Sequence, residues 1–339
     1  MSDQKKIKEI PGLKQIVGKE LVGNAIVMII LVLASWGLTF GVWGPPEGLG
    51  TYLGYIACMV PFFTVIQTAV PLINKRVELM HGKWGLKADE KDLPAEPLIT
   101  IWSRILPRAF VYGFGTMLVL VGLIKVSGWY PGTPAVVIIV LVVNITTTSL
   151  LIKRFLPADL LSWAKAAGSK PDSEPQPLAG YLVVEHGIPF ILLQAYINAC
   201  VANRGFHFEA AKAGVDYVPL PALLPDAFIL FVILAFIQWM FSNNLTRGHV
   251  HLGRVPVDRL NPISGWGGIG LIFLGAIVVT LLYWAILAVG NQLTPDGIHG
   301  LSIGMATLFK MGNVVLSVIF GAWIGIRWGG TREHARMQV

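Results

Sequence analysis

Val136-Val137-Ile138-Ile139-Val140-Leu141-Val142-Val143 is an unbroken aliphatic stretch, and nothing in it could face water. Extended outward it becomes an apolar run from Pro134 to Lys153, about the 20 residues that a helix needs to cross the ~30 Å hydrocarbon layer of a bilayer. A barrel strand would alternate apolar and polar residues, whereas this run is apolar on both parities. In lipid a helix also satisfies every backbone amide within the segment. Ala25 to Leu33 repeats the pattern near the N-terminus. The same ruler applied to the whole chain predicts eight spans, approximately 22–44, 51–73, 109–130, 134–153, 181–202, 224–246, 266–290 and 301–325.

The composition agrees. Of the 339 residues 54% are apolar and 13% charged, and the mean hydropathy is +0.66, where a soluble domain carries about 25% charge. A soluble enzyme, a nucleic-acid binder and a disordered chain are excluded as readings of the whole sequence. Cys58 and Cys200 fall inside apolar segments and read as small core residues, with no disulfide or metal role. The run after the lysine-rich arm 1–20 is too long for a signal-peptide core and lacks a small-residue cleavage site, so it reads as a retained first helix.

Orientation follows from the basic residues. With the N-terminus cytoplasmic, 22 of the 26 lysines and arginines fall in the arm, in 74–108, 153–180 and 247–265, and in the tail 327–339. This is the positive-inside asymmetry. It predicts an inner-membrane, multi-pass protein with both termini cytoplasmic, and it accounts for the net charge of +7 through attraction to anionic lipid headgroups, with no nucleic acid involved.

A repeat with a spacing of 80 to 86 residues overlies the spans. Glu96-Pro97-Leu98, Gln176-Pro177-Leu178 and Asn261-Pro262-Ile263 each enter an odd-numbered helix. Trp102, Tyr181 and Trp266 follow within about a turn, at expected headgroup depth. The exits Thr68 to Lys75-Arg76 and Thr146 to Lys153-Arg154 also align. The expected fold is therefore an all-α integral membrane protein of eight transmembrane helices arranged as four parallel-repeat helical hairpins, 21–95, 96–175, 176–260 and 261–330, in one transmembrane domain 21–339. An outer loop, 203–225, would cap the third hairpin. Gly321 and Gly325, like Gly50 and Gly54, have the four-residue spacing of close helix contact and are read as internal packing.

Ionisable groups inside a membrane are costly enough to count as functional candidates. Lys310 lies within the eighth span, with Asn313 and Ser317 on the same helical face. The stripe reads as an anion or proton site, or as a structural ion pair. Glu185 and His186 lie in the fifth span, and Glu185 is the expected partner of Lys310. Thr68, Asn144, Thr147, Asn243 and Asn244 mark polar ends of the even helices, an inner vestibule or ordinary interhelical glue. Arg247, His249, His251 and Arg254 read as a phosphate or headgroup contact. No metal site is expected, because the flanking arginines oppose a cation and no metal-ligand spacing occurs. No cofactor is expected either, haem bound between His186 and one of His249 and His251 being the remote alternative.

Phosphate-loop, nucleophile-elbow and dinucleotide motifs are absent from the sequence. The preferred function is permeation or transport of a small solute through the hairpin bundle, and enzymatic activity is the less favoured reading. A non-catalytic anchor or scaffold subunit of a larger membrane complex is the first alternative, and a redox or lipid-modifying subunit the second. Membrane lipids are the expected partners, with other membrane subunits possible and the oligomeric state open.

Overall fold

The computed structural model describes residues 13–37, 64, 98–129, 134–166, 177–251, 255–293 and 299–338. The chain divides into two compact units, Met1–Ser173 and Glu174–Val339. Among the described residues seven helices are long and apolar enough to cross a membrane: α1 Leu13–Trp36, α2 Leu98–Ser127, α3 Pro134–Ala166, α4 Leu178–Ala213, α5 Leu220–His251, α6 Gly265–Leu293 and α7 Ile303–Met337. The expected second span, 51–73, and with it Thr68, lies outside the described residues apart from Thr64.

The distribution of side chains is inverted relative to a water-soluble protein. Leu274, Val278, Leu281 and Trp284 on α6 and Ile138 and Val142 on α3 are more than half exposed, while Asn24, Asn144, Glu185, His186, Ser242, His249, Asn313 and Ser317 are buried. Only an apolar solvent rewards that arrangement, because buried polar groups need internal partners and outward aliphatic groups must not meet water. The chain is an all-α, multi-pass membrane protein.

In the first unit α3 packs against both α1 and α2. Asn24 Nδ2 on α1 donates to Ser149 Oγ on α3 at 3.0 Å, and Thr116 Oγ1 on α2 donates to Thr147 Oγ1 at 3.0 Å. Arg108 pairs with Asp159 at 3.3 Å and lies over the Phe155 ring, 4.6 Å from its centroid.

In the second unit α5 and α7 form the most extensive helix pair. Their partners increase together along both helices: Ala235 lies against Gly321, Ser242 against Gly325 and Asn243 against Gly329. The two therefore run parallel. A side chain at any of these glycines would collide with the α5 backbone, so small residues permit the close approach that holds helices together in lipid, where no hydrophobic driving force acts. Antiparallel strands β1 Tyr217–Pro219 and β2 Gly300–Ser302 pair immediately before the two helices, and this pins their starts to the same end.

The region expected as loop 203–225 is mostly ordered helix: α4 continues to Ala213 and stops at Gly214, which is left-handed at φ 69°. Gly214 and Val215 return their amides to Ala211 and Ala210, the glycine cap that ends a helix cleanly. Near its start, α4 widens into a π turn, Tyr181–Gly187. Pro189 cannot donate to the Glu185 carbonyl, and its ring crowds that carbonyl. The wider turn relieves the conflict, with Ile188 N bonding to Val183 O instead.

Candidate functional site: a buried polar stripe in the second unit

Two polar levels lie inside the second unit. At the level nearer the strands, the Lys310 side chain is 7% exposed and its Nζ lies 2.7 Å from Asp226 Oδ1. The ammonium also lies 5.2 Å from the centroid of the Phe206 ring, a cation–π contact that partly replaces lost hydration. Asn313, one turn on, is fully buried and donates from Nδ2 to the Ala227 carbonyl at 2.7 Å. Ser317 is equally buried and returns its hydroxyl to Val314 O. Beside this stripe a cavity of about 20 Å³ is lined by Asp226, Tyr283, Phe309, Lys310 and Asn313 among others, room for roughly one water.

The expected pairing of Lys310 with Glu185 is corrected. Lys310 meets Phe206, which stands 21 residues beyond Glu185 on α4, roughly 30 Å along a helix axis. A lysine stem cannot cover that distance. Asp226 takes the role instead; an acid near the start of an apolar span, about as far into it as Lys310 is into the next parallel span, was the available signal.

At the second level, Glu185, His186, Ser242, Thr246 and His249 are fully buried and Gln238 and Tyr181 almost so. His186 Nδ1 lies 2.9 Å from Ser242 Oγ. Gln238 Nε2 donates to the same hydroxyl at 3.0 Å and to the His186 carbonyl at 3.4 Å. Because a carbonyl only accepts, that second bond fixes which way the amide points. Tyr181 Oη lies 2.9 Å from His249 Nδ1 and 3.4 Å from Thr246 Oγ1. Its ring stands edge to face with both imidazoles, at centroid distances of 4.9 Å from His186 and 5.6 Å from His249. Tyr181 is thus an interior residue, not the headgroup aromatic expected from its place after Pro177, whereas Trp266, expected at the same depth, is 84% exposed.

The two levels are some 16 Å apart along α5, from Ala227 to Gln238. Between them on α5 stand buried Phe231, Leu234 and Ala235, an apolar layer.

The remaining expected residues separate. Asn144 and Thr147 belong to the first unit, where Asn144 Nδ2 donates to Val140 O and Thr147 accepts from Thr116. Asn243 and Asn244 belong to the second, where Asn243 Nδ2 donates to Asn244 Oδ1 at 3.4 Å. The expected headgroup set also divides. Arg247 pairs with Glu333 at 2.8 Å, His249 points inward to Tyr181, His251 is the last residue of α5, and Arg254 lies outside the described residues. Among the described residues no three histidine, cysteine or acidic side chains converge as metal ligands.

Chemically, the stripe can hold a charge pair in lipid, and it presents imidazole, hydroxyl and carboxyl groups that exchange protons. No family model, curated protein or solved structure matches the chain.

Proposed function

We propose that the chain moves a small solute across the membrane through its second unit, with Lys310, Asp226 and Asn313 at one end of the path and Glu185 and His186 towards the other. The observation that carries this reading is the Lys310–Asp226 pair inside an apolar helix bundle with a water-sized cavity beside it. Charged groups at that depth are costly, and where they persist they mark ion and substrate paths. The apolar layer around Phe231 then belongs to a closed state, in which one level is sealed from the other.

The basic-residue asymmetry supports a cytoplasmic location for both termini in an inner membrane, with lipids as the surrounding partners. The parallel course of α5 and α7, whose facing residues Ala235 and Gly321 are 86 residues apart, is what two successive hairpin copies would give.

The test is flux in liposomes containing the full chain. Stopped-flow light scattering would follow water and urea, and entrapped dyes would follow protons, sodium, potassium and chloride. The proposal expects at least one probe to cross faster than in protein-free vesicles and to slow in Lys310→Ala while that variant still folds. The second reading, a non-catalytic subunit of a membrane complex, is favoured by the tight closed packing. It would be supported if no probe crosses and the chain purifies from its native membrane with other polypeptides at fixed stoichiometry.

A further inference from the structure

The Lys310–Asp226 pair accounts for one polar level and leaves the denser one, around His186, without a role. Tyr181, Glu185, His186 and His249 are each at most 1% exposed, although all four sit in membrane-spanning helices. We infer that this cluster is a proton-exchange site and that the proton is a solute the second unit carries. The inference rests on the transport reading and names its substrate.

The hydrogen bonds carry the argument. Each imidazole presents Nδ1 to a hydroxyl, His186 to Ser242 and His249 to Tyr181. A hydroxyl both donates and accepts and can rotate between the two. Ser242 can therefore donate its O–H hydrogen bond to Nδ1 of a neutral His186 or accept one from the Nδ1–H of a protonated one. Gln238, donating to the same oxygen, holds it in place in either case. Tyr181 offers the same choice to His249, since its single proton can point to His249 Nδ1 or to Thr246 Oγ1. Neither protonation state leaves a buried donor facing a donor, a conflict that would otherwise cost about 1–3 kcal/mol. A purely structural hydrogen-bonded lock has no need of such reversibility.

A proton arriving at a neutral His186 converts imidazole to imidazolium. Release reverses this, with no bond other than N–H made or broken. At this level α7 presents Gly325, Ile326 and Gly330, while Arg327 between them in sequence is turned to the Asn261 carbonyl at 2.9 Å and lies over the Trp323 ring. Further towards the end of the bundle, among the described residues, Arg247, Glu333 and Arg336 are joined in ion pairs of 2.8 and 3.5 Å.

The test uses the full chain in liposomes holding a pH-sensitive dye, with a potassium diffusion potential set by valinomycin. A proton flux is expected in the unsubstituted protein, slowed further in D₂O. It should fall about 100-fold in His186→Gln and in His249→Gln, the low end of what a positioned proton-transfer group contributes. Ser242→Ala removes only the rotating hydroxyl and creates no clash. It should still fold, at a cost of about 1–3 kcal/mol for the hydrogen bonds that His186 and Gln238 lose, and its flux should fall about ten-fold. Flux equal to that of empty vesicles overturns the inference, and it leaves transport standing if another probe still crosses in a Lys310-dependent way. Flux unchanged in Ser242→Ala and in both histidine variants would overturn the assignment to this cluster.

Discussion

Gly325→Ala probes the α5–α7 seam directly beneath the histidine cluster. A Cβ there would lie 2.6 Å from Ser242 Cβ, 2.7 Å from the Trp239 carbonyl oxygen and 2.9 Å from Asn243 N. Ordinary contact begins at 3.4 Å, so the helices must part by roughly 0.8 Å, and two of the three neighbours are backbone atoms that cannot rotate away. Overpacking of this kind costs about 1–3 kcal/mol, while alanine's better helix propensity returns up to about 1 kcal/mol. A net loss of about 1–2 kcal/mol follows, towards the upper end because the seam continues through Gly321 and Gly329. Gly270→Ala on the exposed face of α6, where a Cβ would meet nothing within 4 Å, is the control and should gain up to about 1 kcal/mol. Unfolding both variants by titrating SDS into mild-detergent micelles gives the comparison. If Gly325→Ala unfolded at the same SDS fraction as the parent or a higher one, close backbone approach would not be what holds α5 to α7.

Three further outcomes are expected. Lys310→Met should destabilise by about 2 kcal/mol, the worth of a charge-assisted hydrogen bond, because Asp226, 34% exposed at its side chain, can recover part of its hydration. Adding Asp226→Asn should then cost less than the sum of the single changes, by about 1 kcal/mol; strict additivity in a double-mutant cycle would deny the pair. Asn24→Ala removes the interhelical bond to Ser149 in the first unit and should cost about 0.6 kcal/mol by the same SDS titration, the typical value in membrane bundles; a loss above about 2 kcal/mol would mean that Asn24 does more than bridge α1 and α3. Gly300→Val places a side chain against the Tyr217 ring and the Val218 carbonyl, so cleavage between β1 and α5 by added protease should quicken, and unchanged cleavage would show that the strand pair tolerates it.

Helical class and the seven spans among the described residues were legible because length and apolarity are local properties: twenty residues such as 134–153 declare their environment without knowledge of neighbours. Lys310 was legible for the same reason, as a charge where charge is costly. Its partner was not, because pairing depends on which helices run parallel and at what axial level. Asp226 faces Lys310 only because β1 and β2 start α5 and α7 at one end. The polar stretch Arg204 to Lys212 was read as a loop because it is too hydrophilic for lipid, yet hydrophilicity ends a span without ending a helix. The stop was encoded a little further on, in Gly214. Tyr181 was placed at the headgroups by its distance from Pro177, while its burial against His249 is a tertiary contact that no local pattern announces.

The central claim is that solute crosses along the buried stripe of the second unit. It is tested most directly by placing single cysteines at Ser317 and Ser242, with Cys58 and Cys200 replaced by serine, and exposing sealed vesicles to aqueous silver ion, which is small and reacts with thiols. The account predicts that both stripe cysteines become modified although their parent residues are fully buried, while cysteines at Leu274 and Val278, on the outward apolar face of α6, do not. Protection of both stripe positions, under conditions where a cysteine at exposed Asn244 reacts fully, would contradict it.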